Sequence, residues 1–201
     1  MSALKPVIVR LGLMIEERLS LRRQQMFELV FLGTAAAAPS AERGLPALYV
    51  GQGPDRFLVD CGEGTQRQLM RAGLGFRGVG RVLLTHAHLD HVGGLAGLVA
   101  TRALWGLAAP IEIVGSEETI GFVRHYLAVS VGPERGYRLR PITPGPVFAA
   151  AGWRLDAFMV AHRGTQSLGW RFEEPSRRPL LTDRLVELGV PAGPARRMLA
   201  A

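Results

Sequence analysis

Cysteine is nearly absent from this chain: Cys61 stands alone among 201 residues. One thiol excludes an internal disulfide and any zinc site built from several thiolates, and a reducing, cytoplasmic setting is the natural reading. Lysine is as scarce. Lys5 is the only one, so arginine carries the positive side of the +7 formal charge. Arginine's planar fork pairs with phosphate through two parallel hydrogen bonds, which is compatible with a nucleic-acid partner. A codon bias toward Arg, Ala and Gly would give the same balance. The opening apolar run is broken by Arg10 and followed by Glu16 and Glu17, with no small-residue cleavage site, so neither a signal peptide nor a membrane span fits. Internal repeats and low-complexity linkers are missing too.

What remains is an ordinary globular composition, 48% hydrophobic and 20% charged, at a length that suits one domain. Met26 sits directly before the first strand-like run, "FELVFLG", so residues 1–25 read as an N-terminal extension or the product of a mis-assigned start, and 26–201 as the domain. Short apolar runs at 28–33, 47–51, 56–62, 81–86 and 111–115, bounded by Gly and Pro, predict buried strands. Segments 64–73, 95–106 and 116–129 predict helices, the last with a serine cap and an acidic first turn. Strand patterns return beyond Pro141, and a helix with Thr182 as its cap is expected before "GVPAGP". This mixture predicts an α/β or α+β layered domain.

Five histidines occur in the whole chain, and three of them fall in "THAHLDHVGG" (85–94). His86 and His88 alternate at the end of a predicted strand and can face one point, while Asp90 and His91 follow where the chain turns and can face a second point nearby. Neutral imidazoles and a carboxylate suit zinc, and two adjacent clusters suit a metal pair. Gly93 and Gly94 would let backbone approach behind them. His162 ends the apolar run "FMVAH" and is a further candidate; His125, alone in "VRHYL", reads as a structural histidine. Asp60 and Glu63 read as residues that fix loops or ligands, with surface carboxylates as the alternative, and Cys61 as a small buried side chain.

The H-x-H-x-D-H pattern of residues 86–91 resembles the signature of the metallo-β-lactamase superfamily. A closer resemblance, to the ribonuclease Z family of tRNA 3′-processing endonucleases, is carried by "FLGTAAAAPSAERGLPALYV", "FLVDCGEGTQRQL", "LLTHAHLDHVGGLAGLVATRAL", "HRGTQSLGWRFEE" and "LGVPAGPARRML". The resemblance implies an αββα sandwich, of which this chain holds the N-terminal half and, in 175–201, the start of the arm that grips tRNA. It implies that His86, His88 and His162 ligate one zinc and Asp90 and His91 the other, with Asp90 also the proton acceptor, and that Gly193, Pro194, Arg196 and Arg197 belong to the substrate-binding arm. Precursor tRNA is the implied partner and a homodimer the implied assembly. The implied reaction is removal of the 3′ trailer by attack of a metal-bound hydroxide on a phosphodiester.

The family pattern also contains a bridging aspartate and a further histidine beyond the arm, and no histidine follows His162 here. The chain therefore reads as a truncated or frameshifted member, with a bare inner sheet face expected. Two alternatives stay open: a catalytically inactive RNA-binding or structural remnant of the fold, and another hydrolase of the same superfamily.

Overall fold

The computed structural model describes residues 7–11, 27–107, 109–132, 136–150, 152–162, 164–174, 181–193 and 196. Val7–Leu11 (β1), Phe27–Gly33 (β2), Ala47–Gln52 (β3) and Asp55–Val59 (β4) form an antiparallel meander. The chain continues through Thr65–Arg71 (α1), Arg81–Leu83 (β5), Leu89–Val92 (α2), Leu95–Leu104 (α3), Ile111–Gly115 (β6), Glu117–Ser130 (α4) and Tyr137–Pro141 (β7). Strands β4 to β7 pair in parallel, so seven strands lie in chain order in one mixed sheet. Gly145–Ala150 (β8), Trp153–His162 (β9) and Thr165–Glu173 (β10) make a second, antiparallel sheet ordered β10-β9-β8, and Thr182–Glu187 (α5) follows. β1 places part of the N-terminal stretch at the edge of the larger sheet.

Apolar runs without alternation give strands buried on both faces. Leu58, Val82 and Ile113 face Leu69 of α1, Leu95, Leu98 and Val99 of α3, and the stripe Ile120, Val123 and Leu127 of α4. Their neighbours Phe57, Leu83 and Val114 turn the other way, against alternate residues Trp153, Leu155 and Ala157 of β9. Phe57, fully buried, meets the rings of Trp153, Phe172 and Phe148 edge-on at centroid distances of 5.5, 5.6 and 5.8 Å. The described residues thus stack helices, sheet and sheet in three layers. The inner face expected to be bare is covered in part by β8, β9 and β10, while among the described residues Phe31 of β2 and Phe158, Met159 and Val160 of β9 stay exposed.

Two local differences from the sequence pattern have simple causes. β7 was not expected, its "YRLRP" having too few apolar residues to show a period, and it forms by parallel pairing with β6. α5 begins at Thr182 itself, with Leu181 in the cap position. Ser116 does cap α4, accepting the Thr119 N–H. No helix among the described residues is long and apolar enough to cross a membrane.

Truncating Phe57 would leave a cavity between the two sheets. Phe57→Ala should cost about 3–5 kcal/mol of unfolding free energy, measurable as a lowered urea midpoint; a change under about 1 kcal/mol would mean that the sheets do not pack through this ring.

Candidate metal centre

The histidine motif lies where β5 stops pairing. β5 is shorter than the 81–86 strand read from the sequence, because the Thr85 N–H donates to Asp60 Oδ1 at 2.8 Å instead of to a neighbouring strand. Leu84 to His88 then run irregularly to α2, with His88 in its cap position and Asp90 and His91 inside it. The result still converges: His86 Nε2 lies 2.9 Å from His88 Nδ1. Donor atoms of His86, His88 and His162 all lie within 4.8 Å of one another. His91 and Asp90 stand beside this cluster, the His91 ring 4.1 Å from that of His86 and its Nε2 3.6 Å from Asp90 Oδ2.

Asp60 organises the imidazoles from behind. It directly follows β4 in a left-handed conformation (φ 61), which aspartate tolerates better than most residues. Its carboxylate accepts the Thr85 N–H, the Thr85 hydroxyl at 3.0 Å and His91 Nδ1–H at 2.8 Å. Thr85 Oγ1, having given its proton to Asp60, is left to accept from His86 Nδ1 at 2.9 Å. The carboxylate fixes His91 as the Nδ1–H tautomer with a lone pair on Nε2, and the same geometry suits His86 in that form, the arrangement a metal ligand needs. Thr85 was missed in the sequence, although a hydroxyl immediately before the first histidine was the available signal.

Charge follows the same geometry. Burial, together with the neighbouring His91 and His88, lowers the His86 pKa to about 4, so this imidazole is neutral at ordinary pH. For His91 burial works downward, but the hydrogen bond and charge of Asp60 outweigh it and the pKa is raised. Burial works upward on Asp90, yet the Ala37 N–H and His91 hold its carboxyl below the usual range. Three imidazoles packed around one point, with an ionised carboxylate alongside, match the donor chemistry of a divalent-metal site.

Close backbone approach holds the ligand loop in place. Cys61 N–H donates to the His91 carbonyl and Gly94 N–H to the Cys61 carbonyl. A Cβ on Gly62 would fall 2.4 Å from the Asp90 carbonyl oxygen, and one on Gly94 2.2 Å from that of Gly62, so both positions require glycine. Cys61 is fully buried and its thiol is pushed up to about 12 by burial, leaving it inert at neutral pH. Glu63 lines an adjoining cleft of about 470 Å³ with Ser40, Glu42 and Arg67.

His162 comes from the other sheet, and specific bonds bring it in. Leu168 N–H donates to the Thr85 carbonyl at 2.8 Å, the Ser116 hydroxyl donates to the Gln166 carbonyl, and Thr165 Oγ1 closes the turn onto the His162 carbonyl at 2.9 Å. His125 bonds the Gly121 carbonyl of its own helix. In the arm, Gly193 takes a positive φ, and the Arg196 guanidinium donates twice to the Val190 carbonyl, so part of its donor set is engaged locally. Pro194 and Arg197 lie outside the described residues.

Helices and two stacked sheets, with His86, His88 and His162 converging on one point, define a protein of the metallo-β-lactamase fold. The chain belongs to the family whose model is described as Anti-Pycsar protein Apyc1, which matches residues 27–174. The resemblance to ribonuclease Z is borne out by curated relatives of that name: one from Bradyrhizobium sp. (strain ORS 278) is 49% identical over 178 residues, 87% of this chain and 59% of the relative. The chain thus spans 59% of the length of that relative. Among solved structures, the short form of human tRNase Z (ELAC1) superposes with a TM-score of 0.65 at 30% identity, covering 76% of this chain and 66% of that one. The metallo-β-lactamase fold protein YhfI from Bacillus subtilis does so at 0.65 and 17% identity, over 77% and 60%, a likeness of fold alone.

Asp60→Asn keeps the volume but presents an NH2 donor to groups that are themselves donors. Zinc affinity should fall about 10–100-fold in a chelator competition, with the fold retained by circular dichroism. Unchanged affinity would mean that the histidines orient themselves without Asp60.

Proposed function

We propose that this chain carries the metal centre of an endoribonuclease that removes the 3′ trailer from precursor tRNA. The convergence of His86, His88 and His162 carries the reading. The name of the curated relatives and that of the human structure support the choice of reaction and substrate. In this reading His86, His88 and His162 hold one zinc ion, and Asp90 and His91 contribute to a second. Bound there, the cations supply positive charge at a phosphoryl oxygen and acidify water, both of which phosphodiester hydrolysis needs near neutral pH.

The chain's own groups do the rest. Asp60 and Thr85 keep the Nε2 lone pairs of His91 and His86 directed outward. In this reading Asp90, held ionised, accepts a proton from an attacking water. The arm around Gly193, Pro194, Arg196 and Arg197 belongs to this reading as the phosphate-gripping element of the substrate, and a homodimer in the cytoplasm as its working state. The local balance of residues 175–201, five arginines against Asp183 and Glu187, suits a phosphate backbone.

The family model bears a different name from the curated relatives, which favours a second reading, a hydrolase of the same fold acting on another phosphodiester. One purified preparation separates them. Trimming of a precursor tRNA at its 3′ end, lost with EDTA and in His162→Ala by at least about 100-fold, supports the first. Hydrolysis of bis(p-nitrophenyl) phosphate without tRNA cleavage supports the second. Bound zinc with neither activity identifies a non-catalytic remnant and refutes both.

A further inference from the structure

Residues 34–46, between β2 and β3, form a loop without helix or strand, and its shape is over-determined. Its ends cross so closely that a Cβ on Gly33 would fall 1.8 Å from the Leu45 carbonyl oxygen. Ala35 N–H bonds the Gly44 carbonyl at 3.0 Å, and Ser40 Oγ accepts the N–H groups of Glu42 and Arg43 at 3.2 and 3.0 Å. At the tip, Ala38 N–H donates to the Ala36 carbonyl at 2.7 Å, closing a three-residue turn about Ala37. Ala37 has a φ of 61, a left-handed conformation that costs alanine energy, and three-residue turns of this hand are rare and strained. Such a conformation persists only where its surroundings enforce it, and it gathers at functional sites.

The strained turn delivers one group. The Ala37 N–H donates to Asp90 Oδ2 at 2.9 Å, across 53 residues of sequence. His91 Nε2 lies 3.6 Å from the same oxygen, so the loop touches the ligand pair beside the three-histidine cluster. We propose that Ala37 is a positioning residue: its backbone N–H fixes the Asp90 carboxylate so that Asp90 and His91 together can hold the second metal ion. The proposal rests on the ligand roles assigned above. A side chain contributes nothing here; the position works through main-chain geometry, which the whole loop is braced to maintain.

Two replacements separate the N–H from the strain. Lactic acid in place of Ala37, introduced by nonsense suppression, turns the amide into an ester and removes the N–H while keeping the methyl group. Ala37→Gly keeps the N–H and removes the strain. Zinc binding is measured by chelator competition on the full chain, alongside thermal unfolding. The ester should weaken the second zinc about 10–100-fold while leaving the first zinc and the melting temperature unchanged. Ala37→Gly should leave both zinc affinities unchanged. An ester variant with full second-site affinity, or one that weakens both sites equally, would overturn the proposal. A wild-type chain that binds one zinc and never a second would overturn it while sparing the three-histidine site, whereas a chain that binds none would remove the proposed function as well.

Discussion

The site depends on what the Asp60 carboxylate accepts. Three donors from the ligand segment converge on it, two from Thr85 and one from His91, and a fourth bond passes through the Thr85 hydroxyl to His86. Hydrogen bonds to a carboxylate are stronger than neutral ones, and their directions leave each imidazole one orientation. Ending β5 at Leu83 is part of the same arrangement, since the Thr85 N–H cannot serve both a strand partner and Asp60. The ligand loop is therefore specified by a polar group at the end of the adjacent strand, not by its own backbone preference.

Around that bond the fold supplies distance control. Gly62 and Gly94 allow the Asp60 loop and the ligand loop to pass at backbone contact, and Cys61 stitches them with two main-chain bonds. The Leu168 to Thr85 bond then ties β10 to the same few residues, so that His162, from the second sheet, arrives at a centre built by the first. The aromatic contacts of Phe57 with Trp153 and Phe172 lock the two sheets together beneath it. Loosening the sheet packing would separate His162 from His86 and His88 before it disturbed the Asp60 network.

Much of this was legible in the sequence, for identifiable reasons. The parallel strands announce themselves as unbroken apolar runs, α4 by its serine cap, and the centre by imidazoles crowded at a strand end where packing has no use for them. β7 was hidden because its "YRLRP" takes its shape from β6. The alternation expected for His86 and His88 was replaced by an irregular turn, since Asp60, 25 residues earlier than Thr85, captures the N–H that would have continued the strand. Ala37 left no trace at all: an alanine in "TAAAAPS" carries no sign of its φ, which is fixed by contacts at both ends of its loop. Membership in the Apyc1-described family and likeness to ribonuclease Z rest on the legible part.

Asp60 and Thr85 set the histidine tautomers before any metal arrives. Nitrogen-15 NMR of the imidazoles in metal-free protein reads this directly, because protonated and unprotonated ring nitrogens have well-separated shifts. His86 and His91 should both carry the proton on Nδ1 in the folded state, against the Nε2–H form that free histidine prefers. Finding Nε2–H at both rings would contradict it.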